Sequence, residues 1–181
     1  GRAVLAHPAW SLNTTELMCS FRGLSGVEIF NSVSSVPTNA LRGDSAAMLD
    51  PVFANGQRLN CFTNDDAHRY EGECGMSATM LNTNDRSVAG ILRAIDEGRF
   101  YATQGPEIRE LSLTDGVVHI ACSPAKYIIF YSNVVWIPNR TRALEGQTSA
   151  DYVVSPRESF VRVQVVAEDG KSAWTSPIKL G

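Results

Sequence analysis

Along residues 1–105 short apolar runs alternate with helix-like segments, and each run ends in polar residues. The run "AVLAHP" leads into "SLNTTELMCSFRG", where a Thr or Asn cap and Glu16 precede Leu17, Met18 and Phe21 at helical spacing. The run "GVEIFN" leads into "TNALRGDSAAMLDPVFANG", in which Leu41, Ala46, Met48, Leu49, Val52 and Phe53 line one broken helix, kinked at Pro51 and closed by Gly56. The run "RLNCFTNDDAH" is followed by a loop rich in Gly, Glu and Asn. Then "NDRSVAGILRAIDEG" carries an Asn or Asp cap, apolar Val88, Ile91, Leu92 and Ile95, and Gly98 as terminator. Strand and helix alternating three times predict a parallel sheet with right-handed crossovers.

From "GPEIRELSL" onward the pattern becomes all-β. Alternation in "IRELSL", "VVHIAC", "YIIFYS", "ADYVVS" and "FVRVQVVAEDGK", with "TDG", "SPA" and "EDG" turns, predicts a small sandwich. The division falls near residue 105: an α/β region over 1–105, a β-sandwich-like domain over 106–181, and "FYATQGPE" as the connection.

Composition narrows the classes. The chain is 44% hydrophobic and 19% charged, with formal net charge −3 and no block of like charges, so no basic nucleic-acid surface is predicted. No apolar run approaches the ~20 residues that cross a bilayer, and "GRAVLAHPAW" does not read as a signal peptide, which predicts a cytoplasmic protein without membrane association. Cys19, Cys61, Cys74 and Cys122 are scattered without C-x-x-C spacing and read as reduced thiols. The sequons at Asn13 and Asn139 read as chance occurrences in such a setting.

Candidate chemistry collects where the first three runs end: His7-Pro8, Asn31, and Asp65-Asp66-Ala67-His68. In βα sheets this is the end where sites form. In an extended segment Asp66 and His68 point to one side, with Ala67 turned away. His7, Asp66 and His68 would then make a three-ligand metal shell with positions open to water or substrate. The same spacing equally suits a surface turn with a solvated histidine. Arg69 stands nearest for a phosphate, ahead of Arg86 and Arg99, though each also suits a solvated surface. Trp10 is placed to wall the pocket, while Trp136 and Trp174 are expected to pack in the β-rich domain. Glu28 sits at the beginning of its strand and is not assigned as a ligand; His119 reads as an ordinary strand residue.

Taken in order, "AVLAHP", "LSGVEIFN", "TNDDAHRY" and "ILRAIDEGRFYATQGPEI" resemble the polymerase and histidinol phosphatase (PHP) family of metal-dependent phosphoesterases, and "FVRVQVVAEDGKSAWTSPI" resembles the small β-rich domain following the barrel in a bacterial branch of it. The resemblance implies the C-terminal part of a distorted (β/α)7 barrel, a TIM-like architecture, followed by the sandwich. It implies zinc, manganese or iron held by His7, Asp66 and His68, with Asp66 and His68 catalytic on a small phosphorylated substrate, which Arg69 would touch by its place beside His68. There the metal would polarise a phosphoryl oxygen and make hydroxide available near neutral pH. The family's opening His-x-His motif, central glutamate and further histidine have no counterpart here. The chain is therefore expected to be a fragment that needs a partner, either the N-terminal part of the same barrel or a second copy, and to be inactive alone. The alternative reading is a non-catalytic binding or scaffold protein whose β-rich domain holds a carbohydrate or protein.

Overall fold

The computed structural model describes residues 1–180. Its first region is built as the apolar runs predict. Strands β1 (Ala3–Leu5), β2 (Leu24–Asn31) and β3 (Asn60–Asn64) form a parallel sheet in the order β1-β2-β3, with Val4 opposite Gly26 and Val27 opposite Cys61. Helix α1 (Thr15–Ser20) connects the first two, capped by the Thr14 hydroxyl, which accepts the Leu17 N–H at 3.2 Å. Helix α2 (Ala46–Ala54) connects the second and third and continues through Pro51. Met18, Val27, Ile29, Leu49, Val52, Phe53 and Cys61 close the core between sheet and helices.

Beyond β3 the parallel pattern stops. Strands β4 (Ala78–Leu81) and β5 (Phe100–Thr103) pair antiparallel around helix α3 (Val88–Asp96), which terminates before Gly98 as expected but is capped by Ser87 rather than by the expected Asn or Asp. Six more strands follow in order: β6 (Ile108–Thr114), β7 (Val117–Ala125), β8 (Tyr127–Ser132), β9 (Thr141–Arg142), β10 (Gln147–Val153) and β11 (Phe160–Val166). The chain closes with β12 (Ser172–Trp174) and β13 (Ile178–Lys179). One sheet runs β10-β7-β6 and the other β4-β5-β12-β11-β8-β9, with β13 on β11. Val118, Ile120 and Tyr152 from the first meet Ile128, Phe130, Val161, Val163 and Val165 from the second in one buried core, as a sandwich requires.

These observations correct the fold expected from resemblance. The described residues are 38% strand and 17% helix, in three sheets with three α-helices among them, and do not form part of a (β/α)7 or TIM-like barrel. The mixed class built on that barrel, and the PHP resemblance that carried it, fall with it. The physical reason lies in two segments. Residues 38–45, expected to begin the broken helix, do not: the chain leaves β2 through two 3-10 turns, Val33–Ser35 and Pro37–Asn39, and returns antiparallel to β2. There the Asn31 N–H donates to the Gly43 carbonyl and the Ser45 N–H to that of Ile29. "ATML" and "FYAT", expected as loop and connection, are the antiparallel β4 and β5. The larger sheet therefore joins strands from both sides of residue 105.

The seam between the two regions is packed and charged. Trp174 of β12 stacks on Phe30 of β2 at 5.5 Å, and Phe160 of β11 meets Phe53 of α2 edge-on at 5.7 Å. Burying each such side chain contributes roughly 1.5–3 kcal/mol. Arg162, fully buried on β11, donates its Nε and Nη2 to the two carboxylate oxygens of Asp50 on α2, at 2.6 and 2.9 Å. No helix among the described residues is long and apolar enough to cross a membrane.

Candidate functional site

The carboxyl ends of β1, β2 and β3 bring His7, Glu28, Asn31, Asn64 and Asp66 together. Glu28 is the hub. Its carboxylate, 7% exposed, accepts the His7 N–H at 2.7 Å, the Asn31 Nδ2–H at 2.9 Å and a short bond from Asn64 Nδ2. A buried carboxylate is tolerated only when its oxygens are so occupied. Asn31 Nδ2 also donates to Asp66 Oδ2 at 3.1 Å, so one amide bridges two carboxylates. The Asn31 Oδ1 accepts the Ser34 N–H, and the Asn64 Oδ1 accepts the Asp66 N–H at 2.6 Å. Both amide side chains are thereby oriented without ambiguity of role.

His7 and Asp66 face each other at this corner. His7 Nε2 lies 4.0 Å from Asp66 Oδ2, while its Nδ1 meets the Ser11 hydroxyl at 2.8 Å and its ring meets the edge of Trp10 at 5.1 Å. Trp10 thus stands beside the imidazole, where the sequence places it. Both residues adopt positive φ, 29° at His7 and 55° at Asp66, a region that side chains with a Cβ rarely enter. Such strain persists where surrounding contacts over-determine it, and it concentrates at functional sites. Here the Glu28 and Asn64 bonds supply those contacts.

His68 and Arg69 are not brought into this cluster. Both are exposed on the loop after β3. Asp65 fixes the neck of that loop by accepting the N–H groups of Gly75, Met76 and Ser77. Glu73 folds back to accept the N–H groups of His68 and Arg69 at 2.7 and 2.9 Å, and those bonds lower its pKa. The alternation that would aim Asp66 and His68 to one side ends at Asn64, because Asp66 has already left the extended region. His119, half-buried on β7, pairs across strands with Asp151 at 2.6 Å, as an ordinary strand residue does.

His7 Nε2 and Asp66 Oδ2 are donors of the kind a divalent metal takes. One nitrogen and one oxygen at 4.0 Å lie within the span of ligands bound ~2.0–2.2 Å from a common zinc. Two donors fall short of the three protein ligands that a catalytic zinc takes, and no group of three or more His, Cys, Asp or Glu side chains placed to hold a metal occurs among the described residues. The cluster of this chain alone does not fit a complete catalytic metal site.

Sequence reasoning finds His7, Asn31 and Asp66 at the strand ends but passes over Glu28 as a partner. Its signal was a lone charge inside the apolar run "GVEIFN" with an amide three positions later. Compared with models of known families, with curated proteins and with solved structures, the chain finds no match.

Proposed function

We propose that this chain contributes the His7–Asp66 corner of a metal-dependent phosphoester hydrolase, the rest of whose metal shell comes from another segment of the same protein or from a second copy. The observation that supports the reading is the approach of His7 Nε2 to Asp66 Oδ2, with both backbones strained and both side chains held by neighbours. Charge supports it as well. Asp66 and the buried Glu28 share an amide, and neither accepts from a Lys or Arg side chain, so the corner carries negative charge suited to a cation. Glu28 is the positioning group, His7 and Asp66 the donors, and Trp10 the apolar wall. The phosphate ester is the proposed substrate class, with Arg69 the nearest guanidinium in sequence.

Calorimetric titration with zinc and with manganese tests the reading. The chain is expected to take up one exchangeable metal weakly, and His7→Ala or Asp66→Asn is expected to lower the affinity tenfold or more. Hydrolysis of p-nitrophenyl phosphate is expected only when a completing segment or copy is supplied. Metal uptake unchanged in both variants would overturn the assignment.

A further inference from the structure

A second concave site lies on the seam, at the end of the molecule where β3 begins rather than ends. The turn from α2 into β3 and the paired strands β11 and β13 enclose a cleft of about 270 Å³. Its floor is apolar: Phe53, Leu59 and Phe160 are each buried to 5% exposure or less, and Phe53 and Phe160 form the edge-on pair described above. Its rim is cationic. Arg58 on one side and Lys179 on the other are both exposed, and neither takes part in any ion pair among the described residues.

The buried cation of the seam, Arg162, is matched by Asp50. The net charge is −3, so two unmatched cations facing one apolar cleft are not the residue of a generally basic surface. The walls are also fixed. Gln57 donates to the Cys19 carbonyl at 2.7 Å, holding the α2–β3 turn, and Phe160 lies opposite Lys179 in the β11–β13 pairing. The cleft is thus largely formed before anything enters it. Small-molecule sites combine such an apolar floor with a few placed polar groups.

We infer that this cleft binds a small amphiphilic anion, its apolar body on Phe53, Leu59 and Phe160 and its carboxylate or phosphate head between Arg58 and Lys179. The two heads share the chemistry that a guanidinium and an ammonium recognise. The site is independent of the His7–Asp66 corner and stands or falls apart from it.

Titration with octanoate, octyl phosphate, octanol and octylammonium, followed by methyl NMR of Leu59 and Leu180, tests the inference. Both anions are expected to bind saturably and to shift those two methyl groups. Relative preference between them tells which head the cleft takes. Octanol and octylammonium are expected to bind at least tenfold more weakly. Lys179→Glu, an exposed change on a short edge strand, is expected to leave the unfolding temperature within a few degrees and to weaken anion binding at least tenfold; Arg58→Glu should act in the same direction. Equal binding of octanol, or anion binding indifferent to Lys179→Glu, or shifts confined to other methyl groups, would each overturn it.

Discussion

Cys61 is fully buried on β3, at one side of the parallel sheet. Burial pushes its thiol from 9.0 up to about 12, with Arg162 drawing it slightly down and Asp50 slightly up. Below pH 9 the thiol is protonated in both folded and unfolded chains. Between pH 9 and about 12 the unfolded chain has lost a proton that the folded chain keeps, so stability falls as pH rises through that window. The slope approaches about 1.4 kcal/mol per pH unit for one such group. Tyr152, raised by burial and by its bond to Glu158, adds to the decline above pH 10. Urea unfolding at successive alkaline pH values is expected to show a shallower decline in Cys61→Ala than in the parent, and equal slopes would mean that water reaches the thiol. Glu28 makes a second case. Glu28→Ala leaves the Asn64 amide and the His7 N–H without their acceptor, while Asn31 keeps its bond to Asp66, and a donor left unpaired away from water costs about 1–3 kcal/mol. A urea midpoint displaced by less than the equivalent of about 0.5 kcal/mol, the range of an ordinary surface change, would show that the hub carries no load. At this scale the sequence reveals the residues that end strands, since polar groups after an apolar run are visible in a string of letters. It does not reveal that Asp66 turns to positive φ, and that one torsion angle separates His68 from the partner that spacing assigns to it.

Elements follow a similar rule. α3 is legible because nine residues ending before a Gly repeat the helical period more than twice, although the cap is Ser87 and not the Asn or Asp upstream of it. β11 is legible because Val161, Val163 and Val165 alternate over seven residues. β4 and β5 have four residues each, too few to establish a period, and nothing in a period says whether the neighbour runs parallel or antiparallel. The parallel order expected to continue past β3 fails on that point. Within β2 the close approach to β3 rests on Gly26. A Cβ there would fall within the Phe62 ring and against the Asn60 carbonyl oxygen. The ring is itself held 4.5 Å from Phe100, and the carbonyl belongs to the paired strand, so neither yields freely. Gly26→Ala is expected to destabilise by about 1–3 kcal/mol, the cost of an overpacked core. Guanidinium unfolding measures it, and an unchanged midpoint would mean that β2 and β3 separate without penalty.

Across the whole molecule, the parallel sheet and the sandwich are coupled through one buried ion pair. Arg162 lies 4.0 Å over the Tyr131 ring, binds Asp50 with two nitrogens and leaves Nη1 without a partner. Removing Asp50 strands a positive charge where water does not reach, so Asp50→Ala is expected to cost about 3–5 kcal/mol. Arg162→Met combined with Asp50→Ala is expected to recover most of that loss, since an apolar side chain of similar length needs no counter-ion. Denaturant unfolding of the single and double variants checks both statements, and a double variant no better than Asp50→Ala would show that the guanidinium's packing matters more than its charge. The larger sheet imposes a different constraint. β12 lies between β5 and β11, and its Ser172 N–H reaches the Gln104 side chain 68 positions earlier in the chain. As the chain emerges from the ribosome, β5 can meet β4 at once, but its other edge has no neighbour until the residues of β12 have been made. Until then an open row of amides and carbonyls faces solvent beside nascent apolar strands, the arrangement that invites a foreign strand. The time for which that edge stays open is set by synthesis speed and by the closure of a long chain segment, so slowing elongation should raise misassembly in this protein more than in one whose strands pair with their sequence neighbours.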